Sequence, residues 1–286
     1  MRKFRWQIKS RTLELGERTL MMGVLNVTPD SFSDGGEFQK LDAAVVRALE
    51  LERSGADILD IGGESTRPGA APISDDEELA RVMPVLSALR GQLRIPISID
   101  TRRAVVAEAA IEAGAEIVND ISALRFDPRM AAVIRTTDAG VVLMHMRGAP
   151  GTMQKGPFAR NVVADVSRGL RQAVERAKRA HIPRGNIVLD PGIGFGKNYA
   201  QNFEIIGKLN RFAEIGCPLL VGPSRKAFLG AAIGSPQNPA PPSERIWATA
   251  AVVTAAIMNG AHIVRVHDVA DMLQVARIAD RLRASL

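Results

Sequence analysis

Several things are scarce in these 286 residues, and each scarcity excludes something. There is one cysteine, Cys217, so no internal disulfide is available; its setting in "IGCPLLVG" reads as inert packing at the start of a buried strand. No apolar run approaches the roughly 18 residues that a membrane helix needs, and "MRKFRWQIKS" lacks the apolar stretch of a signal peptide. A cytoplasmic protein that does not enter a membrane is therefore expected. Aromatics make up only 4% of the chain, which counts against the nucleic-acid partner that a net charge of +6 and a pI of 9.9 invite. The densest basic stretch, "SRGLRQAVERAKRAHIPR", spaces its charges around apolar residues at helical intervals, as a solvated helix face does.

Nucleotide loops are missing as well. "NIVLDPGIGFGKN" has the glycines of one, but a P-loop ending on Gly196-Lys197 requires glycine at 191 and a hydroxyl at 198, where Pro191 and Asn198 stand. A dinucleotide fingerprint begun at Gly192 and Gly194 requires its third glycine at Lys197. What survives is a short strand ending in a carboxylate, Asp190, and a loop able to approach a ligand closely. Lys197 is expected to be solvated.

What the chain does contain is a repeat of two patterns. Short β-rich runs, "TLMMGVLNV", "DILDIGG", "PISIDT", "EIVNDIS", "GVVLMHM", "NIVLDPG", "PLLVGPS" and "HIVRVHD", alternate with segments of 3.6 period such as "LDAAVVRALELERSG" and "RRAVVAEAAIEAG", both ending on a C-cap glycine. Ser74 and Glu77 form an S-x-x-E capping box ahead of "ELARVMPVLSAL". Eight nearly continuous apolar strands, each followed by a helix, predict a parallel sheet covered on both sides, and eight is the number that closes. The fold class is thus α/β, a (β/α)8 TIM barrel in one domain over 1–286, with residues 1–18 forming a short N-terminal β-hairpin at the far end. The proline-rich "GSPQNPAPPSE" reads as a loop inside the barrel.

Such barrels bind ligands at the C-terminal ends of their strands. The residues placed there are Asn26, Asp60, Glu64 to Arg67, Asp100, Thr101, Asn119, Asp120, His145, Arg147, Asp190, Ser224 to Lys226, Arg265 and His267. Carboxylates and an amide come from one side, and Arg67, Arg225, Lys226, Arg265 and His267 from the other. A ligand with two unlike ends is implied. The cationic side, with the donors of "NVTPDSFSDGG" and "GGESTRPGA", suits a phosphate or pyrophosphate. Asp190 suits the amidine-like edge of a flat heterocycle, Asn119 both donates and accepts, and Lys226 donates to a ring carbonyl or nitrogen opposite. Asp60 and Asp120 read equally as inward structural groups, His181 and His262 as structural, and Asp30 and Asp34 as turn formers or parts of a lid.

Seven segments, "GVLNVTPDSFSDGG", "ADILDIGGESTRPGA", "ISIDT", "EIVNDIS", "LDPGIGFGK", "GPSRKAFLG" and "IVRVHDV", together resemble the bacterial dihydropteroate synthase family, in order and over nearly the whole chain. The resemblance implies a TIM barrel that condenses 6-hydroxymethyl-7,8-dihydropterin pyrophosphate with p-aminobenzoate, giving 7,8-dihydropteroate and pyrophosphate, and that is a sulfonamide target. It implies that Asp100, Asn119, Asp190 and Lys226 form the pterin pocket, with Phe195 and Met144 as walls. Asn26 resembles the Mg²⁺ ligand, and Thr66, Arg67, Arg265 and His267 the pyrophosphate contacts. Phe32, Pro68, Ser224 and Lys226 resemble the aminobenzoate pocket. Asp100, Lys226, Arg67 and Asp34 are expected to carry the chemistry, with 28–36 closing as a lid, and a homodimer is implied. Pro223 and Ala227 depart from the family pattern around "SRK". Two other readings remain: a pterin-binding methyltransferase that passes a folate methyl group to a corrinoid protein, which lacks a use for "TPDSFSDGG" and "STRPG", and a non-catalytic pterin-binding paralogue.

Overall fold

The structure is a computed structural model and describes residues 1–28, 37–65, 69–149 and 151–285. The first two strands, β1 (Phe4–Ile8) and β2 (Arg11–Leu15), pair antiparallel as the predicted hairpin. The next eight are β3 (Leu20–Asn26), β4 (Ile58–Gly62), β5 (Ile97–Asp100), β6 (Ile117–Asp120), β7 (Gly140–Met144), β8 (Ile187–Asp190), β9 (Leu220–Val221) and β10 (Ile263–Val266). Each lies inside one of the eight runs picked out by periodicity. They form one parallel sheet in the order β8-β7-β6-β5-β4-β3-β10-β9. It closes through a bridge between Leu189 and Leu219, with the Leu189 N–H donating to Pro218 O at 2.9 Å. The shortest strand, β9, lies between Pro218 and Pro223, neither of which has an N–H to give to a ladder.

Helices follow the strands: α1 (Glu37–Arg53), α2 (Asp75–Leu89), α3 (Ala104–Glu112), α4 (Met130–Thr137), α5 (Val162–Arg179), α6 (Tyr199–Gly207), α7 (Ala227–Ile233), α8 (Ile246–Met258) and α9 (Val269–Ala284). The start of α2 is fixed by the expected box: Glu77 N–H donates to Ser74 Oγ at 3.1 Å and Ser74 N–H to Glu77 Oε2 at 2.9 Å. Apolar residues from the outer faces of the strands and inner faces of the helices make the main core. Among the described residues no helix is long and apolar enough to cross a membrane.

A second core fills the lower barrel, where Met22, Ile58, Ile117, Val142, Val188, Leu220 and Ile263 pack on Trp6, Ile8 and Leu15 of the hairpin. Trp6 is wholly buried and its indole N–H donates to Asn186 O at 2.8 Å. The fit is tight enough that a Cβ on Gly140 would lie 2.4 Å from Ile8 Cγ2. Because strand side chains alternate, the residue two places on from each inward apolar residue points inward as well. Counting from Ile58, Ile117, Val142, Val188 and Ile263 gives Asp60, Asn119, Met144, Asp190 and Arg265. The polar layer stands on the apolar one by period alone.

Candidate active site

The upper interior is organised around Arg265. Its Nε donates to Asp60 Oδ2 at 2.5 Å and its Nη2 to Asp100 Oδ2 at 2.8 Å. Asn119 Nδ2 donates to the same Asp60 oxygen at 3.1 Å. Against the cost of burial, Asp60 and Asp100 hold the Arg265 proton more firmly than a free guanidinium holds it. Burial raises the pKa of the Asp100 carboxyl as well, with Arg265 opposing it. Asp60 Oδ1 is a buried acceptor with no hydrogen-bond partner among the described residues. The two sides of the expected charge separation therefore touch: the cation from β10 is braced by carboxylates from β4 and β5 before any ligand arrives.

Asp190 ends β8 and is 6% exposed. One oxygen accepts the Gly192 N–H at 2.6 Å; the other has no hydrogen bond among the described residues. Burial raises its pKa against the Gly192 N–H and the nearby Lys226, Lys197 and Arg265. The glycines that follow are required by a close crossing. Gly192 and Gly196 have φ of +69° and +70°, and a Cβ on them would fall 2.0 Å from His145 O and 2.3 Å from Arg147 O. Gly194 instead leaves room for Lys226, whose Cδ would lie 3.2 Å from a Cβ there.

Lys226 places its ammonium 4.2 Å from the centre of the Phe195 ring, a cation–π contact. Burial, then the charge of Arg265, draws its pKa down from 10.5 to about 8. Phe195 belongs to a small apolar cluster with Ile121, Met144, Met146 and Met153, which puts Phe195 and Met144 side by side. Ser224 Oγ lies 3.0 Å from His267 Nδ1 and accepts the His267 N–H at 3.2 Å. Burial and the charges of Arg265 and Arg225 lower the His267 pKa to about 3, so this ring offers a hydrogen bond, not the positive charge counted for it in the sequence. Asn26, half-buried at the end of β3, has no side-chain hydrogen bond among the described residues.

Three other expectations change. Lys197 is 2% exposed, not solvated: its ammonium donates to Gly192 O at 2.8 Å and His145 O at 2.9 Å and lies 3.0 Å from His145 Nδ1. Burial lowers its pKa from 10.5 to about 7, against the pull of Asp190 and Asp165. Arg225 leaves the cationic side and pairs with Asp268 through Nε at 3.0 Å and through Nη2. Asp120 faces away from the barrel interior and accepts the Ser122 and Leu124 N–H groups at 2.7 and 2.6 Å, tying its own loop. His262 is structural as expected, its Nδ1 accepting the Leu219 N–H at 3.1 Å. Asp30, Phe32, Asp34, Thr66, Arg67 and Pro68 lie outside the described residues.

The structure thus brings Asp100, Asn119, Asp190, Phe195, Ser224, Lys226, Arg265 and His267 to one end of a closed barrel. Sequence reasoning missed the bracing of Arg265 by Asp60 and the burial of Lys197. The even spacing of Asp60 from Ile58 is the one signal for the former.

Comparison with known proteins agrees with this geometry. A family model described as a pterin binding enzyme matches residues 22–267. The chain is 48% identical over 267 residues to a dihydropteroate synthase from Synechocystis, covering 93% of this chain and 91% of the relative. Among solved structures, the Xanthomonas albilineans dihydropteroate synthase with 4-aminobenzoic acid superposes with a TM-score of 0.91 at 40% identity, covering 99% of both chains. The same enzyme in complex with 7,8-dihydropteroate gives 0.86 at 38% identity, covering 98% of this chain and 99% of that one. Fold and likeness converge: the chain belongs to the dihydropteroate synthase family of pterin-binding transferases.

Proposed function

We propose that the barrel mouth seats the pterin ring of 6-hydroxymethyl-7,8-dihydropterin pyrophosphate on Asp190 and Asn119 and transfers its CH₂ carbon to the amine of p-aminobenzoate. The observation that carries this reading is the inward-facing row of Asn119, Asp190 and Lys226 above an apolar floor. The free Asp190 oxygen and the ring's adjacent N–H groups are complementary, and Lys226 stands across the mouth to donate to the opposite edge. Relatives that hold 4-aminobenzoic acid and 7,8-dihydropteroate support the same assignment.

In the reaction the C–O bond breaks, pyrophosphate leaves with the electron pair, the amine nitrogen forms the new C–N bond, and the ammonium proton passes to solvent. The ring is electron-rich, so the transition state is loose and cation-like at carbon. Asp100 then supplies negative potential beside the developing cation. Arg265, fixed by Asp60 and Asp100, presents a rigid guanidinium to the departing group, and His267 presents a hydrogen bond from a ring oriented by Ser224. Thr66 and Arg67 complete the pyrophosphate contacts in this reading, and Phe32, Pro68 and Ser224 flank the aminobenzoate. Asn26 fits a single-oxygen Mg²⁺ ligand, since its amide makes no side-chain hydrogen bond among the described residues and Mg²⁺ commonly keeps waters and binds substrate phosphates. When bound there the ion neutralises charge on pyrophosphate. Closure of 28–36, with Asp34 and Arg67, excludes water as a competing nucleophile.

The exposed apolar side chains of Trp247, Ile278 and Leu282 on the paired helices α8 and α9 support a homodimer through that face. The reaction is tested by aminobenzoate-dependent pyrophosphate release by the purified chain with Mg²⁺. Release that needs both substrates is expected. Pterin binding without release would leave only the non-catalytic paralogue, and methyl transfer from a methylated folate would replace the proposal.

A further inference from the structure

Between β7 and the first four turns of α5, on the outer side of the barrel wall, lies a cavity of about 210 Å³ lined by Arg125, Arg147, Arg168, Arg176, His145 and Asp165 among others. It shares none of the residues assigned to the pterin, aminobenzoate or pyrophosphate except the Met144 wall. Four guanidinium groups face one carboxylate. Asp165 accepts from Arg168 Nη2 at 2.7 Å and Arg147 Nη1 at 3.3 Å, which engages both its oxygens. His145 adds no charge, because burial and the neighbouring Lys197 hold its pKa down at about 3.

The other two arginines are anchored by neutral groups. Arg125 donates to Ser122 O and Met146 O, both at 2.9 Å, and Arg176 Nε donates to Ala123 O at 3.0 Å. Backbone carbonyls fix the direction of a guanidinium and do not cancel its charge. Arg176 shows the result: burial, then the charge of Arg125, makes its proton easier to lose than that of a free arginine. Arginine does not shed that proton near neutral pH, so the repulsion, offset only in part by the buried Asp120, favours a bound anion. Arg125 and Arg168 reach solvent and Arg147 and Arg176 are half-buried, yet hydrogen bonds tether all four around one hollow.

We propose that this cavity is a binding site for a small phosphate-class dianion, outside the barrel mouth. A tetrahedral dianion matches the geometry because each of its oxygens accepts from a planar fork, and several forks converge. Inorganic phosphate and the pyrophosphate released at the barrel mouth share this chemistry. The site does not depend on the reading of the barrel mouth, and its failure leaves that reading untouched.

The test is arginine modification by phenylglyoxal on the full chain, mapped by peptide mass spectrometry, with inorganic phosphate, pyrophosphate or chloride at matched ionic strength. With phosphate at roughly ten times its dissociation constant, modification of Arg168 and Arg176 is expected to fall about tenfold. Chloride is expected to leave it unchanged. In Arg125→Gln the protection at both residues should disappear while pyrophosphate release at the mouth continues. Arg176→Gln, read at Arg168 alone, repeats the test if the first variant does not fold. Stronger protection by pyrophosphate than by phosphate assigns the ligand to the released product, and the reverse assigns it to free phosphate. Equal protection by chloride, protection that survives both substitutions, or protection confined to arginines of the strand ends would overturn the proposal.

Discussion

Replacing Lys197 with methionine isolates the largest electrostatic cost in the loop after β8. Methionine keeps most of the volume and loses the charge. Two opposing effects follow. The lysine's hydrogen bonds go, and His145 O is left without a donor among the described residues, whereas Gly192 O keeps the Phe195 N–H at 3.1 Å. An unpaired buried carbonyl costs about 1–3 kcal/mol. Set against this is the relief of no longer burying a cation. Lys197 titrates at about 7 in the folded chain and at 10.5 when free, so between those values the unfolded chain binds the extra proton and folded stability rises with pH. That linkage is worth about 3–4 kcal/mol between pH 7 and pH 10. At pH 7 the relief exceeds the cost, and the variant is the more stable by about 1–2 kcal/mol. By about pH 10 the relief has gone and the variant falls behind by about the 1–3 kcal/mol of the unpaired carbonyl, so the difference, wild type minus variant, rises from negative to positive. Urea unfolding followed by fluorescence of the buried Trp6 measures the difference at each pH, and contributions from groups distant from Lys197 drop out of the comparison. A difference that stays constant or shrinks with rising pH would refute a lysine buried beside Gly192.

Other expectations concern the mouth and the floor. Asp190→Asn swaps a two-oxygen acceptor for an amide that must donate on one side, and is expected to weaken pterin binding by about 3 kcal/mol, roughly a hundredfold; titration calorimetry with a pterin reads it, and an unchanged affinity contradicts the ring's placement. Since Lys226 titrates at about 8, pterin affinity should decline as pH rises through that value and the donor loses its charge, and Lys226→Met should abolish the decline. Trp6→Ala leaves a cavity where the side chain is 0% exposed and should cost about 3–5 kcal/mol, seen as a lowered denaturation midpoint. Replacing Arg67 or Asp34 should slow turnover far more than it weakens pterin binding; equal losses in both would remove the lid from the mechanism.

Much of this was legible in the sequence because it is local or periodic. The eight strands announce themselves as apolar runs, Ser74 and Glu77 mark the start of α2 within four residues, and Asn119 and Asp190 follow inward apolar residues by two. What stayed hidden depends on chain that is distant in sequence. Lys197 follows three glycines and nothing nearby hints at burial; besides Gly192 O its partner is His145, just past β7 and 52 residues earlier in the chain. Asp60 and Arg265 are 205 residues apart and meet only because the barrel closes. Arg225 sits inside a recognisable "SRK", yet its charge goes to Asp268, at the foot of α9. The strand ends say which residues share the mouth, and closure decides which of them are already paired.

The hairpin under the barrel has a kinetic meaning beyond its stability. With Trp6 and Ile8 stoppering one end, the interior among the described residues opens at the strand ends alone, and in the proposed reading both reactants queue there. In the proposed reading a molecule that rests on Asp190 goes in ahead of anything that rests nearer the rim, so an aminobenzoate that reaches the doorway first is an obstruction, and excess of it is expected to slow turnover.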